Sequence, residues 1–319
     1  MNRPDWKEWR KAIVSEWKSH QENFTFGPAL GRKDIPPGVT VIPIGDVFKT
    51  KRDGRYKYRL VVRGYHMKKG RDYNDTFAPV GNSRTFRALF AVGTKYDWEM
   101  KQADVPTAFL QPEFDLEMVV AVPNYFNNSL DKVPDNGVNF KTYHNMVKNV
   151  PGSPQGPRLW YNKLKKALEE VGLVRVPIDY CLWKHPKFRL YLAFWVDDLY
   201  FFFDKMVKEK ALKVHSGLAE RVHLPPWADT FDCLGCEVYR NREERELFLS
   251  QRKAIDSLLA GVGLDKENVK PSHTPGRLTD VVTVQDCPSD SKELDKEKHT
   301  WFRSVLATLS LLSTGPGLT

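Results

Sequence analysis

Residues 189 to 203 read RLYLAFWVDDLYFFF, a run of aromatic and branched side chains interrupted only by two aspartates. Such a run favours two β-strands, with Asp197 and Asp198 at the hairpin between them. No other segment limits the fold as much, because strands this apolar must be buried while their tip carries two charges. Adjacent carboxylates amid apolar surface are costly unless something compensates them. An exposed turn is one compensation, since aspartate is common in turns. A tight turn, however, more often uses Asn-Gly or Asp-Gly, and no glycine is present here. A divalent cation is the other compensation, and Mg²⁺ takes a few carboxylates together with substrate phosphates.

A third carboxylate would then come from a separate strand. The candidate is Asp104 in KQADVPTAFL, which ends the alternating segment WEMKQAD and precedes an apolar AFL. One aspartate ending a strand and a pair in a hairpin is what two-metal phosphoryl transfer requires. One ion activates a primer 3′-hydroxyl, and the other neutralises the triphosphate and the departing pyrophosphate. Spacing alone does not join Asp104 to the hairpin.

The remaining elements are mixed. Residues 6 to 18, 84 to 97 and 158 to 171 read as helices, and QRKAIDSLLAGVG reads as another, closed by Gly263. Val39 to Val62 suggests two strands joined at Arg52-Asp53-Gly54-Arg55. After Phe203 come mixed strand signals to about Leu249. This order predicts an α+β fold.

A net charge of +9 and a pI near 9.2 point toward a polyanionic partner. The charge is concentrated: between Lys51 and Arg71 stand nine Lys or Arg against one acid, Asp53, with Tyr56, Tyr58 and Tyr65 interleaved. A solvated charged hairpin is the plain reading. Contact with a phosphate backbone, with aromatic faces stacking on bases, is the functional one. No apolar stretch reaches the roughly 18 residues of a membrane span, and the start MNRPDWKEWRK lacks a signal-peptide core. No membrane association and an intracellular setting are therefore expected. Four cysteines are too few for a disulfide framework. Cys233 and Cys236, in FDCLGCEVY, read as small core residues of a strand rather than as a metal or redox motif.

These segments together resemble the reverse transcriptase of copia-type LTR retrotransposons. Trp9, Ala12 and Glu16 resemble the family's W-x-x-A-x-x-x-E, and Lys57, Arg59, Leu60, Val61, Arg63 and Gly64 its K-A-R-L-V-A-R-G. TFAPV at 76 to 80 matches as it stands, followed by Arg87 and Gln102. Asp104, Val105, Thr107, Ala108, Phe109 and Leu110 resemble D-V-K-T-A-F-L. Gly152, Gln155, Pro157, Arg158 and Trp160 resemble L-Y-G-L-K-Q-A-P-R-x-W, and Trp195 to Asp198 stands where the family has Y-V-D-D. Leu234-Gly235 fits F-L-G, while Leu249-Ser250-Gln251 and Thr274-Pro275 match later segments.

The resemblance implies a right hand of fingers, palm and thumb, with an antiparallel palm sheet. It implies an N-terminal helix and extension over 1–34, fingers and palm over 35–250, and a thumb with the start of a connection over 251–319. It further implies RNA- and DNA-directed DNA synthesis with two Mg²⁺ ions (Mn²⁺ as a substitute), deoxynucleoside triphosphates, and a primer on an RNA or DNA template. Asp104 and Asp197 become the main metal ligands, with Asp198 close by and the Val105 carbonyl completing one sphere. Phe109 becomes the gate against a ribose 2′-hydroxyl. Lys57, Arg59, Arg63, Gln155 and Gly156 become nucleotide contacts, and Trp195, Val196, Leu234 and Gly235 primer or template contacts. The implied setting is a cytoplasmic virus-like particle or the nucleus.

The chain departs from the family in places. Trp195 replaces a tyrosine, and Pro151, Ser153 and Pro154 replace Tyr, Leu and Lys, although the resulting SPQG resembles the retroviral form of this loop. Gln111-Pro112 replaces Asn-Gly, so that turn is expected to differ, and Thr314-Gly315-Pro316-Gly317 replaces T-R-P-D. Polymerase elements without protease, integrase or RNase H segments are expected. Two other functions stay open: a non-catalytic nucleic-acid-binding remnant of the same fold, and a structural subunit supporting another copy.

Overall fold

The computed structural model describes residues 4–51, 54–123, 141–230, 232–264 and 296–314. In chain order these form α1 (Trp6–Glu22), β1 (Phe26–Leu30), β2 (Val41–Thr50), β3 (Tyr56–Val62), α2 (Ser83–Lys95) and β4 (Glu99–Asp104). There follow β5 (Val119–Pro123), β6 (Lys141–Met146), α3 (Gly156–Glu170), β7 (Val174–Arg175) and β8 (Leu182–Lys184). Next come β9 (Leu190–Trp195), β10 (Asp198–Phe203), α4 (Lys208–Val222) and β11 (Ala228–Asp229). The last are β12 (Asp232–Cys233), β13 (Cys236–Asn241), β14 (Glu246–Ser250), α5 (Arg252–Gly261) and α6 (Lys296–Thr314). The mixture of helices and largely antiparallel sheets agrees with the α+β expectation. Asp53 of the expected Asp-Gly turn, and Thr274-Pro275, lie outside the described residues.

The chain divides into two compact units, with boundaries inside β4 and β11. The first unit comprises residues 1–81 and 101–228. It contains the five-stranded sheet β1-β6-β5-β2-β3, while β10, β9, β8 and β7 follow β4 in a second sheet. β3 alternates, with Tyr58, Leu60 and Val62 buried and Lys57, Arg59 and Val61 on the other face. Against it lies α1, whose Trp9, Ile13, Glu16, Trp17 and His20 fall at the spacing of one helical face. β10 is buried on both faces, as expected of a central strand. Leu199, Phe201 and Phe203 join the core under α3 and α4, while Tyr200 and Phe202 are buried opposite. Fully burying one such side chain contributes about 1.5–3 kcal/mol, so this strand is a rigid support for whatever its tip carries.

α4 corrects the strand reading of the segment after the hairpin. Its buried Ala211, Val214, Leu218 and Val222 recur every three or four residues. Gly217 interrupts that pattern with a poor helix former, yet it has a packing reason: a Cβ there stands 3.0 Å from Val171 Cγ1, just beyond α3.

The second unit comprises residues 82–100 and 229–319. Asn82 caps α2 by accepting from the Arg84 amide at 2.9 Å. The sheet β12-β13-β14 is pinned by Arg240, which donates to the Trp98 carbonyl at 2.7 Å and to Asp97 at 3.1 Å. Cys233 and Cys236 are buried and pair across the β12–β13 turn, as the strand reading expected. Among the described residues no helix is long and apolar enough to cross a membrane.

Candidate active site

Across β9 and β10, Trp195 pairs with Asp198, so the turn consists of Val196 and Asp197. This shifts the expected turn by one residue: Asp198 is the first residue of β10 rather than part of the tip. Val196 has φ +57°, a left-handed conformation that a β-branched residue rarely adopts and that costs on the order of 1–3 kcal/mol. Two hydrogen bonds from other elements hold it. The Trp160 indole N–H donates to the Val196 carbonyl at 2.7 Å, and the Val105 amide donates to the Asp197 carbonyl at 2.9 Å. At about 0.5–1.5 kcal/mol each, such bonds are of the size needed to offset the strain.

The Val105 bond ties the turn to the end of β4, where Asp104 is exposed. Surrounding protein raises the Asp104 carboxyl above its ordinary range, and the charge of Asp197 raises it further; Lys57, Lys51 and Arg59 oppose the shift. Conversely, burial holds the Lys57 ammonium low, helped by Arg59 and Lys51 and opposed by Glu16 and Asp197. The two expected metal ligands from separate strands therefore lie within one another's field, beside the basic strand. Among the described residues, no group of three or more His, Cys, Asp or Glu forms a metal-holding cluster. The expected convergence of Asp198 with the other two is thus not found as a three-carboxylate group.

β3 brings Lys57 and Arg59 to one face, with Arg63 following exposed at its end. Arg59 is held by Glu16 of α1 at 3.3 Å, and Glu16 also accepts from the Leu60 amide at 3.4 Å. A cavity of about 240 Å³ opens here, lined by Ser15, Glu16, Lys51, Arg55, Lys57 and Arg59 among others. The sequence reading has Glu16 only as a motif position and Lys51 only as part of the basic segment, neither as a named site residue. The signal was a glutamate on the buried face of an amphipathic helix, a position that demands a cationic partner.

The SPQG loop is stitched to β3. The Val62 amide donates to the Pro151 carbonyl at 2.7 Å. A Cβ at Gly64 would stand 2.1 Å from the Gly152 carbonyl, so only glycine fits. Gln155 is 1% exposed; its Nε2 donates to the Asp72 carbonyl at 3.4 Å while its Oε1 has no partner. Gly156 opens α3 against Ser153 and Asn149. Asn149 donates to the Phe109 carbonyl at 2.9 Å. Phe109 itself is half-buried against the core, a placement open to both gate and core roles. The altered turn after Leu110 is explained by Gln111, buried and donating to the Pro106 carbonyl at 3.1 Å and the Val222 carbonyl at 2.9 Å. In the second unit, Leu234 is half-buried and Gly235 exposed, at a turn with φ of +52° and +77°.

The sequence profile of a family described as reverse transcriptase (RNA-dependent DNA polymerase) matches residues 32–275. A retrovirus-related Pol polyprotein from transposon TNT 1-94 of Nicotiana tabacum is 28% identical, over 100% of this chain and 24% of that protein. Those from transposons RE2 and RE1 of Arabidopsis thaliana are each 31% identical, over 97% and 96% of this chain and 20% of each relative. The chain thus spans about a fifth to a quarter of the relatives it matches.

Proposed function

Since this chain belongs to the reverse transcriptase (RNA-dependent DNA polymerase) family, in its copia-type retrotransposon branch, we propose that it extends a primer on an RNA or DNA template by nucleotidyl transfer from deoxynucleoside triphosphates. The observation that carries this reading is the 2.9 Å bond from the Val105 amide to the Asp197 carbonyl, which ties the turn to the end of β4 next to Asp104, where the charges of Lys57, Lys51 and Arg59 are also felt. Like charges that feel one another across protein repel, so each makes the other's charged form harder to keep. Holding them together suits a centre completed by cations from solution.

The donor set fits Mg²⁺ or Mn²⁺, which accept one or two carboxylates with the remaining ligands from phosphates and water. Asp104 and Asp197 would hold the ions, with the Val105 carbonyl as a further oxygen and Asp198 in support. Bound there, the metal supplies charge neutralisation at the triphosphate and acidifies the primer hydroxyl. The protein's own part is placement. Lys57, Arg59 and Arg63 receive the triphosphate and template phosphates, and Gln155 offers its unpartnered Oε1 beside the SPQG loop. Phe109 excludes a 2′-hydroxyl, while Trp195, Val196, Leu234 and Gly235 face primer and template. In this reading β4 and the β10-β9-β8-β7 strands are the palm, the five-stranded sheet is the fingers, and residues from 251 onward begin the thumb.

A non-catalytic binding remnant is the second reading, favoured by the altered loop and by the lack, among the described residues, of a three-carboxylate group. Primer extension on poly-rA/oligo-dT with Mg²⁺ separates the two. Extension that disappears in Asp104→Ala supports the polymerase. Binding with no extension by the unaltered chain supports the remnant.

A further inference from the structure

The turn that carries Asp197 is held by a side chain from the core of α3. Trp160 lies in α3, 2% exposed, in the core shared with Leu164, Leu168 and Leu199. Its indole N–H donates to the Val196 carbonyl at 2.7 Å, while the Val105 amide donates to the Asp197 carbonyl at 2.9 Å. Both carbonyls of a two-residue turn are thereby gripped by groups outside the hairpin. The turn needs that grip, because Val196 sits at φ +57° and Asp197 faces the like charge of Asp104. Neither favours the turn as it stands, so the two outside hydrogen bonds work against both.

We propose that Trp160 is a positioning residue for Asp197, acting through the Val196 peptide; the inference rests on the polymerase reading above. Among aromatic side chains of comparable bulk, only the indole carries a donor at this reach that has no acceptor role of its own. Phenylalanine would fill much of the same apolar space and leave the carbonyl unheld. The bulk of the residue and its N–H are therefore separable by experiment.

Two variants of the full chain make that separation. Trp160→Phe removes the donor with some loss of volume. Replacement of Trp160 by benzothienylalanine removes the donor with sulfur in its place and keeps the bicyclic shape. For the benzothienyl protein, the maximal rate of single-turnover dTTP incorporation on poly-rA/oligo-dT is expected to fall about tenfold to a hundredfold, the size of effect that a misplaced reacting group produces. The KM for dTTP, primer-template affinity and thermal midpoint stay near those of the parent chain. Mn²⁺ binding, read by electron paramagnetic resonance without nucleotide, weakens in parallel. A benzothienyl protein equal to the parent in both rate and Mn²⁺ affinity overturns the proposal. So does a loss spread evenly over rate, KM and thermal midpoint, which marks plain packing. If the parent chain fails to extend at all, the polymerase reading falls, and the Mn²⁺ comparison alone decides: weaker binding in the variant supports the positioning role, and equal binding overturns it.

Discussion

Two hairpins of this protein end in two-residue turns, and they are made in opposite ways. At the β12–β13 turn both residues have positive φ, +52° at Leu234 and +77° at Gly235. The second is a glycine with open space around it: a Cβ there would meet nothing within 4 Å. At Gly235 sequence and geometry agree, as in hairpin turns generally, whereas Leu234 is itself a non-glycine in the left-handed region. At the β9–β10 turn a valine takes the left-handed position and an aspartate follows, with no glycine to relieve it. That turn is held from outside by Trp160 and Val105. Where a chain resists its own geometry and neighbours enforce it, that geometry is the feature to test, and here it fixes the Asp197 carbonyl on the Val105 amide at the end of β4.

The largest effect expected from this contrast is on sugar selection next to the enforced turn. If the chain after Asp104 passes under an incoming nucleotide, Phe109→Val raises ribonucleotide use relative to deoxynucleotide by about two to three orders of magnitude, the loss of a clash and of an unpaired hydroxyl's penalty. Single-turnover incorporation of CTP and dCTP measures it. An unchanged ratio with both rates depressed assigns Phe109 to the core.

The turns themselves provide the next comparison. Gly235→Ala is expected to lower stability by about 1–2 kcal/mol, since alanine in the left-handed region is strained even in open space. Val196→Gly relieves strain but adds unfolded-state entropy, so stability moves by no more than about 1 kcal/mol, and the extension rate falls about tenfold. Denaturant unfolding paired with single-turnover rates reads both. The reverse pattern would erase the distinction between the two turns.

Smaller still is the effect of the basic strand on binding. Neutralising Arg59 or Arg63 is expected to flatten the log–log salt dependence of primer-template affinity by about one unit for each phosphate that the arginine neutralised. Identical slopes would return these arginines to a solvated surface. The smallest effect concerns the support beneath β10. His215 is buried beside Phe201 and Trp227, with Nε2 bonded to the Pro225 carbonyl at 2.9 Å. Burial holds its imidazole below the ordinary range. The unfolded chain then binds the proton more tightly than the folded one. The contribution is therefore present above the ordinary histidine pKa and is lost as pH falls through it and toward the lower folded value. His215→Phe should flatten the acid side of the stability curve below about pH 6.5. Parallel curves would show that His215 does not report on this packing.

Much of this is legible in the sequence, for identifiable reasons. α1, α2 and α3 can be read within a few residues because their buried positions recur strictly at helical spacing. α4 cannot, since Gly217 and two valines weaken its propensity, and its need for glycine lies in Val171 of a different element. The aspartate hairpin reads one residue out of place. Nothing local announces that Val196 accepts a left-handed conformation, because the donors that enforce it come from residues 105 and 160. The pairing of Asp104 with Asp197 follows from chemistry and resemblance, whereas the buried Glu16 that holds Arg59 becomes visible only with β3 packed against α1.

The measurement that bears most directly on the paired carboxylates is Mg²⁺-dependent extension of oligo-dT on poly-rA by the parent chain, Asp104→Asn and Asp197→Asn. The parent is expected to extend the primer. Each variant should fold, bind primer-template with the parent's affinity, and lose at least about a thousandfold in rate, the scale of removing a charge that acts only on the reacting atoms. Extension by either variant at the parent's rate would contradict the assignment of Asp104 and Asp197 as the reacting centre.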